Sequence, residues 1–272
     1  MENRKITFVG AGNMAKAIIA GLVASGYCAQ NILVSSPTET RRKPLEETLG
    51  IRTTEDNLAA VKEADVVVLA VKPQLMAQVC EPLQAVDFSD KLVISIAAGV
   101  TCERFNEMLA SELNLVRVMP NTPSLIQKGM SGLFATSAVS ESDKQFTHEL
   151  MSAVGEACWV EQESDINGVI AAAGSAPAYF FLFMEAMQKE AIAQGFDKDT
   201  ARLLVQQSAI GAAEMVKANP ELELETLRQQ VTSKGGTTAQ AIETFQQHNL
   251  SETVAKAMQA AIARAQEMEK LF

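Results

Sequence analysis

The sequence predicts an α/β protein with a mostly parallel sheet in residues 1–163 and an all-helical domain in residues 164–272. Two observations support this prediction. Short, continuous runs of β-branched and other apolar residues recur through the first part, which is typical of strands buried on both faces of a parallel sheet. After about residue 164 these runs stop, and apolar residues recur at helical spacing instead.

The first part begins with a strand, a glycine turn and a helix. Lys5–Val9 is the predicted strand, and the helix stops near Gly26. Its apolar face is predicted at Met14, Ala17, Ile18, Gly21 and Leu22. The remaining strands are predicted at Ile32–Ser35, Ile51–Thr53, Val66–Val71, Leu92–Ile96, Leu115–Val118, Gly132–Ala135 and Ala157–Val160.

The second part contains five predicted helices. They are Ala178–Gln194, Lys198–Lys217, Leu222–Val231, Thr237–His248 and Ser251–Leu271. The last helix carries one apolar stripe, which fits intramolecular core and a subunit interface equally well: Val254, Met258, Ala261, Ala265 and Met268. Residues 168–184 carry no charge, but they are shorter than the roughly 20 residues of a membrane span. Gly174 and Pro177 also interrupt them, so we expect a buried helix there.

Composition narrows the range of partners. Lys and Arg number 23 against 33 Asp and Glu, a net charge of −10, which argues against binding to nucleic acid or to an anionic membrane. The four cysteines, Cys28, Cys80, Cys102 and Cys158, show no C-x-x-C spacing. They are therefore predicted to be reduced core residues of a cytoplasmic protein, with no metal site.

The first glycine turn predicts a bound dinucleotide. Gly10, Ala11, Gly12, Asn13 and Met14 follow a strand and open a helix. In this setting glycines permit a tight turn and bring a pyrophosphate close to the N–H groups of the helix N-terminus. The five residues are therefore candidate cofactor contacts in a Rossmann-type domain.

The end of the second strand indicates which dinucleotide. NAD-binding chains usually place Asp or Glu there, whereas this chain has Ser35 and Ser36, followed by Arg41, Arg42 and Lys43. Hydroxyl and guanidinium groups can bind a 2′-phosphate, so NADPH is the predicted cofactor, with NADH weaker. The alternative is that Arg41 and Arg42 form only a solvated helix face.

Three further strand ends are predicted to line one crevice. They are Ala70-Val71-Lys72-Pro73, Ala97-Ala98-Gly99 and Met119–Pro123, which includes Asn121. Ligands of open α/β sheets bind at the carboxyl ends of the strands, so these segments are predicted to contact the nicotinamide half of the cofactor.

A second glycine turn lies in the helical part. Thr232–Thr238 combines Gly235 and Gly236 with Ser233, Thr237 and Thr238, whose N–H and hydroxyl groups can hold a carboxylate. From these residues alone, an ordinary loop between two helices is an equally good interpretation.

The lack of an obvious His or Tyr–Lys acid in the sequence favours reduction of a C=N bond over reduction of a ketone. His148 and His248 are the only histidines, and both are predicted at the surface. Neither Tyr27 nor Tyr179 has a Lys four residues later, and no G-x-S-x-G motif is present. A ketone oxygen must gain a proton during reduction, whereas a protonated imine is already electrophilic.

Five sequence blocks together resemble the Δ1-pyrroline-5-carboxylate reductase family over essentially the whole chain. The blocks are Phe8–Ala15, Ala70–Pro73, Arg117–Pro123, Gly174–Tyr179 and Ser233–Thr238. The resemblance implies a Rossmann domain followed by a helical domain that intertwines with a second subunit. It also implies an active site at the dimer interface, and dimers that sometimes form decamers.

The resemblance also implies roles for individual residues. Ser233, Gly236, Thr237 and Thr238 are implied to hold the substrate carboxylate, and the Thr238 hydroxyl to face the ring nitrogen, which makes Thr238 the candidate catalytic residue. The implied NADPH contacts are Ala11–Met14, Ser35, Ser36, Asn57, Val71, Lys72 and Ala98. The chain departs from the common family pattern at Lys234 (often Pro), Gln230 (often Asn) and Ala176 (often Gly).

The expected activity is NADPH-dependent reduction of L-Δ1-pyrroline-5-carboxylate to L-proline, the last step of proline synthesis. Two alternatives remain open: a related NADP-dependent imine or 2-hydroxyacid reductase, and a non-catalytic NADP-binding regulator.

Overall fold

The computed structural model describes residues 2–272, which pack into two units. The first unit comprises the chain up to Ser175 together with Ala260–Phe272, and the second comprises Ala176–Gln259. The whole sheet lies in the first unit, and the second contains only helices. The domain boundary predicted between residues 163 and 164 was placed where the sequence pattern changes from strand to helix, whereas the two units are defined by packing. The predicted boundary stays a prediction.

All eight predicted strands are present, with ends that differ by a few residues from the prediction. They are β1 (Ile6–Val9), β2 (Ile32–Ser35), β3 (Arg52–Thr54), β4 (Val66–Leu69), β5 (Leu92–Ser95), β6 (Asn114–Met119), β7 (Gly129–Ala135) and β8 (Gly155–Trp159). Helices follow most strands of the first unit: α1 (Asn13–Ala24), α2 (Glu39–Leu49), α3 (Asn57–Lys62), α4 (Pro73–Cys80), α5 (Cys102–Leu109), α6 (Glu141–Ser152) and α7 (Asp165–Val169).

The eight strands form one sheet in the order β3-β2-β1-β4-β5-β6-β7-β8. From β3 to β6 every neighbouring pair is parallel, whereas β7 runs antiparallel to β6 and β8 runs parallel to β7. The order 3-2-1-4-5-6 is that of the Rossmann fold, in which the strand order reverses beside β1. The predicted α/β class and mostly parallel sheet are therefore confirmed.

Two apolar cores cover the two faces of this sheet, because successive side chains of a strand point to opposite faces. Phe8 faces one core together with Ile18 and Phe146, and Val9 faces the other together with Phe105. Neither β1 nor β4 exposes an apolar side chain. The continuous apolar runs of the sequence are thus explained by helices on both faces.

The second unit is helical, as predicted. Its elements are α8 (Ala176–Ala193), α9 (Lys198–Ala218), α10 (Leu224–Gln230), α11 (Thr237–Gln247) and the first part of α12 (Leu250–Glu269). The chain turns between α8 and α9 at Gly195, which has φ +105°. Asp197 then caps α9 by accepting from the N–H groups of Asp199 and Thr200 at 3.0 Å.

The expectation that residues 168–184 form a buried helix is wrong for the single chain, in which most of this segment is exposed or only partly buried. No residue of α8 is buried, and the exposed fractions of Phe180, Phe181 and Leu182 lie between 62% and 68%. A charge-free stretch indicates that a surface will be covered, but it does not indicate what covers it. By length and composition, Asp165–Ala193 is the only helix within residues 2–272 that could cross a membrane.

The apolar stripe of α12 serves two environments. Ala265, near its end, is buried in the first unit, whereas Val254, in the second, is 47% exposed. Half of the cysteine prediction is also corrected. All four are free thiols, but only Cys80 and Cys102 are buried, since Cys28 precedes β2 on the surface and Cys158 lies on the edge strand β8.

Candidate functional site

The glycine turn between β1 and α1 is held against the neighbouring strand. Gly10 adopts φ +113°, and a side chain there would place its Cβ 2.6 Å from the carbonyl oxygen of Ala70. The Gly10 N–H also donates to the carbonyl of Ser35 at 2.8 Å. Only glycine therefore fits between the ends of β1, β2 and β4.

The N-terminus of α1 is free to bind an anion. Gly12 occupies the N-cap without a side chain to satisfy the first N–H groups, and the first turn has no acidic residue. Asn13 and Met14 begin the helix directly after Gly12. Unsatisfied N–H groups and the helix dipole together favour a phosphate at this position, so the turn fits a pyrophosphate.

The end of β2 presents hydroxyl groups where NAD-binding domains present an acid. The Ser35 hydroxyl hydrogen-bonds the side-chain oxygen of Asn57, the first residue of α3. Ser36 is also buried, and its N–H donates to Thr54 O at 3.0 Å. Neither position carries a charge that would repel a 2′-phosphate.

The two arginines beyond β2 have different environments. Arg42 donates from Nη1 to Ser36 O at 2.9 Å, and its Nη2 lies 3.6 Å from Glu55 Oε2. Arg41, in contrast, is exposed, and within residues 2–272 its guanidinium makes no hydrogen bond or ion pair. Arg41 is therefore the cation available to a ligand, while Arg42 holds the Ser36 turn.

The ends of β4 and β5 continue the same edge of the sheet. Ala70 N donates to Val9 O at 2.9 Å, which places Ala70 and Val71 beside the glycine turn. Lys72 occupies the N-cap position of α4 with an exposed side chain that makes no cap hydrogen bond, and Pro73 is the first helical residue. One strand further along, Ile96 N donates to Leu69 O at 3.1 Å and leads into Ala97 and Ala98.

Asn121 lies beyond the end of β6, and its side chain already has protein partners. Its Nδ2 donates to Ala173 O at 3.0 Å, and its Oδ1 accepts from Met130 N at 2.9 Å. The amide thus ties the end of β6 to β7 and to the π-helical turn Ile170–Gly174. Its predicted contact with the cofactor stays a prediction.

The buried cysteines are poor nucleophiles. Burial raises the pKa of Cys80 to about 12. Burial also raises the pKa of Cys102, and the neighbouring Glu163 carboxylate raises it further. Both groups are neutral thiols at physiological pH, so neither provides the thiolate that covalent catalysis needs.

The second glycine turn forms an open helix N-terminus in the helical unit. Gly235 has φ +72°, Gly236 N donates to Ser233 O at 3.0 Å, and α11 begins at Thr237. The first helical hydrogen bond runs from Gln240 N to Gly236 O, which leaves the N–H groups of Thr237 and Thr238 available.

Hydroxyl groups surround these free N–H groups. The side chains of Ser233, Thr237 and Thr238 are exposed and make no hydrogen bond within the described part of the chain. Lys234 is exposed between them, and Gln230 ends α10 nearby in sequence. The turn is therefore a convergence of unpaired donors, which suits a small carboxylate.

Several contacts of this edge are absent from local sequence patterns. No sequence pattern predicts the bond between Arg42 and Ser36 or the role of Glu163, which accepts from Cys102 N at 2.7 Å. Glu163 lies 61 residues from Cys102, and no motif connects the two. Contacts between residues so distant in sequence leave no periodicity to detect.

The sheet order and the free N–H groups beside β1 define the class of protein: a Rossmann-type, dinucleotide-dependent oxidoreductase. Comparison with known proteins is more specific. Residues 163–268 match the family model for pyrroline-5-carboxylate reductase dimerisation, and residues 5–99 match the model described as NADP oxidoreductase coenzyme F420-dependent.

Full-length relatives agree with the two matches. The chain is 71% identical to a pyrroline-5-carboxylate reductase of Vibrio alginolyticus over 272 residues, which is all of both chains. A solved pyrroline-5-carboxylate reductase of Coxiella burnetii is 43% identical with a TM-score of 0.93, covering 98% of this chain and 99% of that one. The Plasmodium falciparum pyrroline carboxylate reductase with NADP bound is 28% identical with a TM-score of 0.86, covering 99% of both chains. This chain belongs to the pyrroline-5-carboxylate reductase family.

Proposed function

We propose that this chain catalyses the NADPH-dependent reduction of L-Δ1-pyrroline-5-carboxylate to L-proline. The observation that carries the proposal is the set of unpaired donors at Ser233–Thr238, in a chain of this family. The substrate is a small ring with one carboxylate and one imine nitrogen, and it needs little more than an anion site and a positioned hydroxyl group.

The first unit is proposed to hold NADPH, which supplies a hydride when bound. Gly10–Met14 would receive the pyrophosphate, and Ser35, Ser36 and Arg41 the 2′-phosphate end. The backbone at Ala70–Pro73 and Ala97–Ala98 would contact the nicotinamide half. The fit rests on the close approach of Gly10 to Ala70, the uncapped N-terminus of α1 and the unpaired Arg41.

The helical unit is proposed to orient the substrate. The N–H groups that begin α11, with Ser233, Gly235, Gly236 and Thr237, would bind its carboxylate. Thr238 would face the ring nitrogen, and its hydroxyl group would hold or relay the proton there as C=N becomes C–N. Because the carbon of an imine is already electrophilic once its nitrogen is protonated, no stronger acid is required.

The histidines and Tyr179 are consistent with a site that needs no stronger acid than a hydroxyl group. His248 is exposed at the end of α11, with Nδ1 at 2.9 Å from Thr244 O, and His148 is half-buried on α6. The Tyr179 hydroxyl is buried without a partner among residues 2–272, and no lysine follows it at the spacing of a Tyr–Lys pair.

The proposal extends to assembly. The family model that matches residues 163–268 is a dimerisation model, and α8 lies within that range with an exposed apolar surface. We propose that α8 is covered by a second copy, in an intertwined dimer whose interface carries the active site and which sometimes forms decamers. The working location is proposed to be the cytoplasm, with no membrane or nucleic-acid partner.

Initial-rate assays test the proposal. Purified protein is mixed with NADPH and Δ1-pyrroline-5-carboxylate, and NADPH oxidation is followed; parallel reactions contain NADH, a different cyclic imine or a 2-oxoacid. The proposal expects turnover with pyrroline-5-carboxylate and a preference for NADPH. Turnover only with another imine or a 2-oxoacid indicates a related reductase, and NADPH binding without any turnover indicates a regulator.

A further inference from the structure

A buried arginine on β6 joins two distant carboxylates within the first unit. Arg117 is 2% exposed; its Nη1 donates to Glu163 Oε1 at 2.5 Å, and its Nη2 donates to Glu269 Oε1 at 3.3 Å. One guanidinium thus pairs with two carboxylates that lie 106 residues apart, at positions 163 and 269. Such a buried group is stable only while its partners stay in place.

The first carboxylate holds the loop that follows β5. Glu163 Oε1 also accepts from Cys102 N at 2.7 Å, and Cys102 is the first residue of α5. The loop runs from Ala97, at the carboxyl edge of the sheet, to Cys102. Its far end is therefore fixed to the arginine through Glu163.

The second carboxylate brings the end of α12 onto the same loop. Glu269 ends α12 and also accepts from Asn167 Nδ2 at 3.2 Å. The preceding residue, Met268, packs on Gly99, where a Cβ would lie 2.8 Å from the Met268 Cβ. Because Gly99 also has φ +74°, the loop adopts this course only with glycine at that position.

We propose that Glu269 is a positioning residue for the cofactor. Glu269 and Met268 contact one side of the loop at 97–102, and Arg117 and Glu163 hold its other end to the sheet. These contacts preorganise the backbone of Ala97 and Ala98. The inference rests on the proposed function, because Ala97 and Ala98 contact the nicotinamide half of NADPH only under that proposal. Preorganisation of this loop would lower the entropy lost on NADPH binding.

Glu269 can be removed without stranding a buried charge. In Glu269→Ala, Arg117 keeps its ion pair with Glu163, so the fold is expected to persist. Removal of Arg117, in contrast, leaves two partly buried carboxylates facing each other, and general destabilisation would follow. Glu269 is therefore the informative position.

The test compares Glu269→Ala with Glu267→Ala. Glu267 lies two residues earlier on the same helix and makes only an exposed ion pair with Arg264 at 2.8 Å, so it is the matched control. Two measurements need no substrate: the Kd for NADPH by titration, and deuterium exchange of the amides at 97–102. Steady-state assays then give KM for NADPH and kcat.

We expect Glu269→Ala to raise Kd and KM for NADPH by about 5–20-fold and to leave kcat little changed. This increase corresponds to part of the free energy of one charge-assisted hydrogen bond. Exchange at 97–102 should accelerate, and Glu269→Gln, which retains an acceptor oxygen, should restore most of the affinity. Glu267→Ala should behave as the parent protein.

Equal NADPH affinity and equal exchange in the two alanine variants would overturn the inference. If Glu269→Ala does not fold, Met268→Ala removes the part of the packing on Gly99 made by the Met268 Cε, which lies 3.3 Å from a Cβ placed there, and keeps the Met268 Cβ. This variant should also show faster exchange, and unchanged exchange overturns the inference as well. Failure of the proposed function is recognised separately, because the parent protein would then bind NADPH but not reduce pyrroline-5-carboxylate.

Discussion

At the residue scale, the two arginines of α2 differ in their protein partners. Arg41 is unpaired and exposed, whereas Arg42 is committed to Ser36 O and Glu55. Their identical chemistry gives no hint of this division in the sequence. It follows from helix geometry, since consecutive residues point about 100° apart.

Arg41→Ala is expected to reduce the preference for NADPH over NADH by about 10–100-fold, because a charge-assisted hydrogen bond to the 2′-phosphate is lost. The ratio of kcat/KM for the two cofactors measures this preference. Lys43→Ala is the control, since two residues further along the helix a side chain points roughly 200° away. Equal ratios in the parent protein and Arg41→Ala would leave Arg41 as a solvated surface residue.

Thr238 is the residue on which the proposed proton handling depends. Thr238→Ala should lower kcat/KM for pyrroline-5-carboxylate by about 10–100-fold, because the hydroxyl hydrogen bond is worth about 1–3 kcal/mol. Thr238→Ser retains the hydroxyl group and should recover most of the activity in the same steady-state assay. Full activity in Thr238→Ala would remove this side chain from the mechanism.

Thiol reactivity follows the burial of the cysteines. In the native protein at pH 7–8, iodoacetamide should label Cys28, which is exposed, and leave Cys80 and Cys102 unmodified, because both are buried with raised pKa values. Peptide mass mapping after timed labelling reports each site. Rapid native labelling of Cys102 would contradict its burial at the start of α5.

At the element scale, the β1–α1 turn depends on the close approach of Gly10 to the end of β4. Gly10 and Gly26 both have positive φ, but only Gly10 faces the backbone of another element. Gly26→Ala should therefore cost about 1–2 kcal/mol of stability through its backbone conformation alone. Gly10→Ala should cost more and also abolish NADPH binding, since Ala70 must move. Urea unfolding and NADPH titration of both variants measure the difference, and equal behaviour would contradict the close approach.

The elements that sequence predicts well are those whose pattern is local. Val66–Leu69 is buried on both faces, and its apolar run shows this directly. The starts of β7 at Gly129 and of β8 at Gly155 lie a few residues before the predicted starts at Gly132 and Ala157. The intervening small and polar residues carry little strand signal, and the pairing of Gly129 with Gly155 on the adjacent strand fixes both starts. The open helix N-terminus at Ser233–Thr238 was predictable because its glycines and hydroxyl residues follow one another in sequence. The contacts of Glu163 with Cys102 and of Glu269 with Arg117 were not, because the partners are distant in sequence.

At the scale of the whole molecule, the sheet unit buries most of its large apolar side chains, while α8 exposes Phe180, Phe181 and Leu182 in succession. The proposed dimer would cover this surface with a second copy. Leu182→Glu is expected to shift the protein from an oligomer to a monomer in sedimentation analysis, because a charge would be buried at the interface. Leu125→Glu is the control, at a 59% exposed leucine outside residues 163–268. An unchanged oligomer in Leu182→Glu would place the interface elsewhere.

Isotopic labelling tests directly whether the hydride of NADPH is transferred to the imine carbon of pyrroline-5-carboxylate. NADPH deuterated at the transferred position of nicotinamide C4 is incubated with pyrroline-5-carboxylate and the protein, and the product is analysed by mass spectrometry and NMR. We expect one L-proline for each NADPH oxidised, with a single deuterium on C5, the former imine carbon. Oxidation of NADPH without labelled proline, or deuterium at another carbon, would contradict it.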